Sequence, residues 1–484
     1  MGTVEHSTER PHLVLFPFPA QGHINPLMEF AKRLVPYNLH VTFVVTQSIR
    51  ERMLEAQKDA APATSPLTDI RIETISDGLS PDNGEAKDVK MVIGLLREVG
   101  GRAFERLIEK LNSQNQRVSC IVYGSLLEWV PHIANKLSIP CAFFWTQSCA
   151  VYSIYYHYHN GLGHTAGDEA EKETPISELP LLCQSDLPSF LHPSDVNQFG
   201  KQLVLGQFTT ISLATWILGN SYDELETSEI KSMVPFIPIR TVGPLLPSAF
   251  LDGSNPQDRD VGAHLCKTTN CMDWLNTKED STVVYVSFGS IVVLSKDQIS
   301  EIALGLKASG QSFLWVIRPD HKKEETSGIQ DLPEGFLEKT AGRGLVVPWC
   351  PQMAVLSHPS VGMFMTHCGW NSTLESLSSG VPVVSVPQWS DQTTNSKYIE
   401  DVWKTGIRLN KCREDRLIVR EEVEKSIRTV MESEFGGELR KNAMQWKTLA
   451  KKAVVKGGSS DKNIEDFAKE VIARNSGTSS PFII

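Results

Sequence analysis

Short apolar runs alternate along this chain with stretches whose apolar positions recur every three or four residues. Residues 13–18 form a short apolar strand, after which Ile24, Leu27, Met28, Ala31 and Leu34 fall on one face of a helix. Residues 40–46 and 70–75 read as the next two strands, and 91–111 as a long amphipathic helix. A strand at 120–123, a helix at 129–137 and a strand at 140–145 follow. Strands separated by helices predict an α/β unit with a parallel sheet and helices on both faces.

Between residues 148 and 215 the pattern degrades. Tyr152, Tyr155, Tyr156 and Tyr158 crowd together, and a Pro-rich stretch follows at 175–193. Long irregular segments in compact domains often carry function, although each aromatic taken singly is equally well a core residue. Residues 243–262 are rich in Pro, Gly, Ser and Asp and read as a linker. The alternation then restarts, with strands at 283–287, 313–317, 344–347, 362–366 and 381–386 and a helix at 299–308. Two doubly wound, Rossmann-like domains facing each other across a cleft are the expectation. Ligands of such sheets sit beyond the carboxyl ends of the strands.

Composition narrows the class. A chain of 484 residues is too long for one ordinary core, and 41% hydrophobic with 21% charged residues suits a globular protein. A net charge of −10 without a basic run argues against a nucleic-acid partner. No window approaches 18 uninterrupted apolar residues, so no membrane insertion is expected. The polar opening residues lack the basic head and apolar stretch of a signal peptide, and the myristoylation pattern is absent. The nine cysteines are scattered through apolar stretches and read as reduced and buried, with the cytoplasm the expected location.

The richest chemistry lies in residues 349–392, WCPQMAVLSHPSVGMFMTHCGWNSTLESLSSGVPVVSVPQWSDQ. A buried strand ends in His367-Cys368-Gly369-Trp370, and Asn371-Ser372-Thr373 then opens a helix closed by Gly380. Free N–H groups and the helix dipole at that opening favour an anion such as a pyrophosphate. Asn371 and Ser372 add donors, and His367 adds one able to carry charge. Glu375, one turn into the helix, can accept from ribose hydroxyls. Trp349 offers a flat face for a base, with the Gln352 amide nearby. Asp391 and Gln392 open the next helix, where they can grip sugar hydroxyls.

This segment resembles the donor-binding signature of the plant-type UDP-dependent glycosyltransferases. The resemblance extends to PFPAQGHINP at 17–26, VYVSFGS at 284–290 and NSYDELE at 220–226. It implies a GT-B fold, an inverting mechanism, a UDP-sugar donor, a small-molecule acceptor and no metal. Residues 1–245 would bind the acceptor, 246–272 link the halves, 273–459 bind the UDP-sugar, and 460–484 return as a helix onto the first domain. The chain is expected to be a monomer. By the same resemblance Trp349 would stack on uracil, Gln352 contact the ribose and Glu375 hold both ribose hydroxyls. His367, Asn371, Ser372 and Ser290 would hold the diphosphate. Trp370, Asp391 and Gln392 would contact the sugar, with Thr146 at its 6-hydroxyl. The terminal Gln392 favours UDP-glucose over UDP-galactose.

His23 would be the catalytic base, and an unperturbed imidazole pKa near 6.5 suits that task. The bland alternative is a structural or capping histidine. Most of the family holds this histidine with an Asp, but here that position is Gly124 in CIVYGSLLEWV. Glu128, one helical turn on, reads as a solvated helix residue, with rescue of His23 as its alternative role. An acceptor carboxylate, already ionised at pH 7, needs little help from a base, whereas a phenol does. Residues 139–158, 187–190 and 401–409 most resemble the plant group that makes glucose esters and phenolic glucosides. Phenolic acids, or other phenylpropanoid and flavonoid acceptors, are therefore expected. A catalytically weak UDP-sugar binder and a C-glycosyltransferase are the competing readings.

Other patterns read as decoys. Asp258-Arg259-Asp260 has the form of a metal-nucleotide motif but lies in the linker. His358, His367, Cys350 and Cys368 lack zinc-finger spacing, and Cys266 and Cys271 read as free thiols. No G-x-G-x-x-G follows the first strand, against a nicotinamide dehydrogenase.

Overall fold

The computed structural model describes residues 10–57, 69–79, 89–162, 176, 178–192, 197–259, 269–318, 331–409 and 417–476. The first sheet contains β1 (His12–Phe16), β2 (His40–Thr46), β3 (Ile70–Ile75), β4 (Val118–Gly124), β5 (Cys141–Trp145), β6 (Trp216–Gly219) and β7 (Arg240–Thr241). Its order is β3-β2-β1-β4-β5-β6-β7 and every pairing is parallel. The second contains β8 (Val283–Ser287), β9 (Ser312–Val316), β10 (Gly344–Val347), β11 (Val361–Thr366), β12 (Val383–Ser385) and β13 (Gly406–Arg408). Its order is β10-β9-β8-β11-β12-β13, again all parallel.

Period-two alternation divides each strand between two cores. Along β1, Val14 and Phe16 pack with Phe104, Tyr123 and Trp145 on one face. Leu13 and Leu15 pack with Phe30, Phe43 and Phe144 on the other. In the second sheet Val284 and Val286 likewise face away from Val283 and Tyr285. Burial on both faces explains the uninterrupted apolar runs that marked these strands in the sequence.

The expected helix at 91–111 is one helical run, Val89–Leu95 and Gly101–Ser113 joined by a π-helical turn at Leu96–Gly100. A helix at Ser459–Asn475 returns to the first sheet, where Phe467 meets Phe30 at 5.9 Å and Trp216 at 5.3 Å between ring centroids. In the linker, Asp258 accepts from Ser248 and pairs with Lys32 at 2.9 Å, so it holds the connection to the helix Gln21–Leu34. Its partner in the decoy pattern, Asp260, and Cys266 lie outside the described residues, as do 260–268 of the linker and 477–484. No helix among the described residues is long and apolar enough to cross a membrane.

Candidate active site

The carboxyl ends of the central strands of both sheets converge on one cleft. On the second-domain side, β8 runs into Gly289, whose φ of 72° suits only glycine and whose absent Cβ would stand 2.6 Å from the His367 ring. Gly369 makes the same concession on the other side, 2.6 Å from His367 Nε2. The imidazole is thus sandwiched between two glycines. Burial, with the nearby Arg318 guanidinium, pulls its pKa down to about 4. The ring is therefore uncharged near neutral pH in the free protein. Arg318 itself donates to the Ser290 and Val292 carbonyls and braces the loop that carries Ser290.

The helix Trp370–Ser379 starts at Gly369 with no side-chain cap and ends at Gly380 in the left-handed region, φ 72°. Of its opening amides, that of Trp370 donates to the Asp391 carboxylate, and the amides after it have no side-chain cap. On its cleft face Gln352 Nε2 donates to Ser372 Oγ at 2.9 Å and to Glu375 Oε2 at 2.5 Å. Tyr285 Oη donates to Gln352 Oε1 at 2.8 Å and fixes that amide. Burial pushes the Glu375 carboxyl up to about 7. Trp349 is half-buried three residues before Gln352. Asp391 stands just before the helix Gln392–Lys397 without capping it and accepts from Asn395 Nδ2 at 2.7 Å, and burial lifts its carboxyl to about 6. Gln392 Oε1 accepts from the Gln388 and Trp389 amides at 2.9 and 3.2 Å, which leaves its NH₂ for another acceptor.

On the first-domain side, the turn after β1 places His23 in the first turn of Gln21–Leu34, edge-on to Phe18 at 5.3 Å. Its Nδ1 lies 3.2 Å from Thr146 Oγ1, just past the end of β5. Thr146 Oγ1 lies 3.4 Å from Ser125 Oγ, which donates to the Phe144 carbonyl at 3.3 Å. Gly124 leaves no side chain here, and a Cβ on it would stand 3.3 Å from Phe18 N and Pro17 Cα. Glu128 is neither a solvated helix residue nor a rescuer of His23: it pairs with Arg97 and is 14% exposed. Burial pulls His23 down to about 4, so its ring is uncharged near neutral pH.

Several bonds cross between the two sheets beside this site. Asn371 Nδ2 donates to the Gly22 carbonyl at 2.9 Å, and Trp370 Nε1 to the Asn220 carbonyl at 2.7 Å. Ser189 and Ser390 exchange two bonds, Ser189 N to Ser390 O at 2.9 Å and Ser390 N to Ser189 Oγ at 2.7 Å. Asp186 pairs with Arg408 at 2.7 Å and Lys397 at 3.6 Å. The Pro-rich segment is thereby fastened to the strand end and helix that carry Asp391 and Gln392.

Comparison with known proteins gives this geometry a family. The family described as UDP-glucoronosyl and UDP-glucosyl transferase matches residues 244–460, and a glycosyltransferase N-terminal domain matches 9–180. Gallate 1-beta-glucosyltransferase 84A24 of Punica granatum is 42% identical over 472 residues, 96% of this chain and 89% of that protein. UDP-glycosyltransferase 84A1 of Arabidopsis thaliana is 42% identical over 467 residues, covering 95% and 94% respectively. The crystal structure of Os79 from O. sativa in complex with UDP superposes with a TM-score of 0.83 at 32% identity, over 95% of this chain and all of that one. The chain belongs to the UDP-glycosyltransferase family.

This glycosyltransferase has the GT-B fold, with its paired sheets meeting at the cleft. The structure brings Gln352, Ser372 and Glu375 into one hydrogen-bonded group, and Thr146 onto His23. Three more of the expected contact residues are bonded within the protein. The Trp370 indole is spent between the domains, and its backbone N–H serves Asp391. Asn371 reaches the turn that carries His23, so its side-chain NH₂ is engaged before any diphosphate arrives. Thr146, assigned by resemblance to the sugar, bonds the histidine.

Two residues of the site escaped the sequence. Ser125 sits beside Gly124, and the signal that could have found it is a hydroxyl at the carboxyl end of a central strand. Glu226, inside the NSYDELE stretch, caps the helix Cys149–His159 through the Cys149 and Ala150 amides, both at 2.9 Å. Among the described residues no group of three or more His, Cys, Asp or Glu could hold a metal ion.

Proposed function

We propose that this enzyme transfers glucose from UDP-glucose to the carboxylate of a small phenolic acid, giving a 1-O-β-glucose ester and UDP. One observation carries the reading: among the described residues His23 has no carboxylate partner, because Gly124 stands where the family's Asp would be and Glu128 is taken by Arg97. An imidazole without that partner is poorly placed to hold the positive charge it gains as a base. A carboxylate acceptor asks for no such charge, since it is ionised near pH 4 and brings its own nucleophilic oxygen. That oxygen attacks C1 of the α-linked glucose in line, the bond from C1 to the phosphate oxygen breaks, and the electron pair leaves with UDP. Relatives named gallate 1-beta-glucosyltransferase support the substrate class.

Trp349, Gln352 and Glu375 would hold the uridine, and His367, Ser372, Ser290 and the first amides of Trp370–Ser379 the diphosphate. Asp391 and the free NH₂ of Gln392 would hold the glucose. In this reading no metal ion takes part, so a chelator leaves the rate unchanged. The described cysteines are free and, Cys183 apart, buried, which fits a reducing cytoplasm.

The test is to incubate the enzyme with UDP-glucose and a hydroxycinnamic acid that carries both a carboxyl and a phenol. A product cleaved by mild alkali is the ester. A product that survives alkali is a phenolic glucoside and overturns the reading.

A further inference from the structure

The group that stands in for the missing carboxylate differs from it in one respect: a hydroxyl can donate. An Asp beside His23 Nδ1 could only accept, which forces the proton onto Nδ1 and leaves Nε2 as a bare base. Here the neighbour is Thr146 Oγ1 at 3.2 Å. Its single proton has two takers, His23 Nδ1 and Ser125 Oγ at 3.4 Å. Ser125 Oγ already accepts the Thr146 amide at 3.4 Å and spends its own proton on the Phe144 carbonyl at 3.3 Å. An imidazole nitrogen is a far stronger acceptor than a serine oxygen, and here it is also the nearer one.

We propose that Thr146 donates to His23 Nδ1, so that Nε2–H rather than a free lone pair faces the cleft and holds a carboxylate acceptor. Thr146 is then a positioning residue, and loss of the family's Asp converts the histidine from a base into a donor. Burial, which keeps the ring neutral, is what allows a choice of tautomer at all. The inference deepens the ester-forming reading above and rests on it. Every bond in the chain is long, 3.2 to 3.4 Å, so the arrangement orients the ring without stabilising an imidazolium as a carboxylate would.

The experiment is ¹⁵N NMR of the imidazole side chains in the free enzyme and its UDP complex, with His23 assigned from His23→Gln. Nε2–H is the expected tautomer of the wild type. Thr146→Val, nearly isosteric, should release Nδ1, mix the tautomers and lower kcat/KM for the acid by on the order of tenfold, with no matching loss on a simple phenol. Gly124→Asp should force Nδ1–H and shift the acid-to-phenol ratio toward the phenol by a similar factor. If crowding at 124 unfolds that variant, Thr146→Val carries the test alone. A wild type that is predominantly Nδ1–H overturns the inference. So does a Thr146→Val loss that vanishes when UDP-xylose, which lacks the hydroxymethyl group, replaces UDP-glucose, because Thr146 would then serve the sugar. An ester product with Nδ1–H sinks this inference alone, whereas an alkali-stable product sinks the ester reading and this inference with it.

Discussion

The two walls of the cleft are built on different plans. The donor wall is nearly contiguous in sequence: residues 349–392 supply a strand, a helix with an open amino end and the start of the next helix, while Tyr285, Gly289, Ser290 and its brace Arg318 come from the strand β8, its following loop and the end of β9. Its polar groups satisfy one another before any ligand binds, as Gln352 does with Ser372 and Glu375. The acceptor wall is gathered from distant points, with His23, Ser125 and Thr146 standing at the ends of three strands. It holds its histidine by long bonds and one vacated position. A wall proposed to bind one fixed nucleotide can be encoded in a single block. A wall that must suit a particular acceptor is tuned by single substitutions at strand ends, as Gly124 illustrates.

Changing His23 should separate the walls most sharply. His23→Ala should cost an acid, which loses its Nε2–H donor, about 10- to 100-fold in kcat/KM, and a phenol, which gains no base from that tautomer, markedly less. His23→Gln, which can donate but cannot act as a base, should remain within about tenfold of wild type on an acid. Equal losses on both acceptors would break the distinction. UDP affinity, measured by calorimetry, should be unchanged in either variant.

On the donor wall the next largest effect is electrostatic. With its carboxyl raised to about 7, Glu375 is largely protonated below neutrality and offers both oxygens as charged acceptors to the ribose hydroxyls only once ionised. UDP affinity should rise about tenfold per unit of pH below 7 and flatten above it. Glu375→Gln should bind weakly and remove that slope. A wild-type affinity flat from pH 5.5 to 8 would sink the assignment. The same shift bears on the free protein. Glu375 and Glu226 both have folded-state values near 7, above an unfolded value of 4.5, so the folded state holds more protons between those limits. Their contribution to stability is present at low pH and is lost as pH rises from about 4.5 to 7, and bound UDP should restore Glu375's share.

The smallest of the three effects joins the walls. Asp186→Ala leaves Arg408 without its carboxylate at a mostly buried contact, while Lys397 keeps Asp401 at 2.7 Å. Loss of one partner from such a pair costs about 2–4 kcal/mol. The variant should melt several degrees lower and show a raised KM for acid and UDP-glucose together, by a few-fold each. A rise confined to one substrate would show that the segment at 184–191 serves only one wall.

What the sequence disclosed follows the same division. Strands buried on both faces announce themselves as apolar runs, and β1, β2, β8 and β11 fall within one or two residues of expectation. The edge-side strands β6, β7 and β13, of four, two and three residues, are too short to show a period. The donor segment was legible because its parts are neighbours in the chain. Gly124 was visible as an absence, but the Thr146 and Ser125 hydroxyls meet His23 only through the order β1-β4-β5, which no local pattern encodes. The Trp370 indole bond was hidden for a related reason, since it joins residues 150 apart.

The helix at Ser459–Asn475 has a consequence in time. It completes the core around Phe30 and Trp216, yet it is the last described element to be made. At 5–20 residues per second it emerges roughly ten to forty seconds after β7. Throughout that interval the nascent first domain presents an apolar face with nothing of its own to cover it. The core of the first domain is therefore closed only once the segment at Ser459–Asn475 has been made.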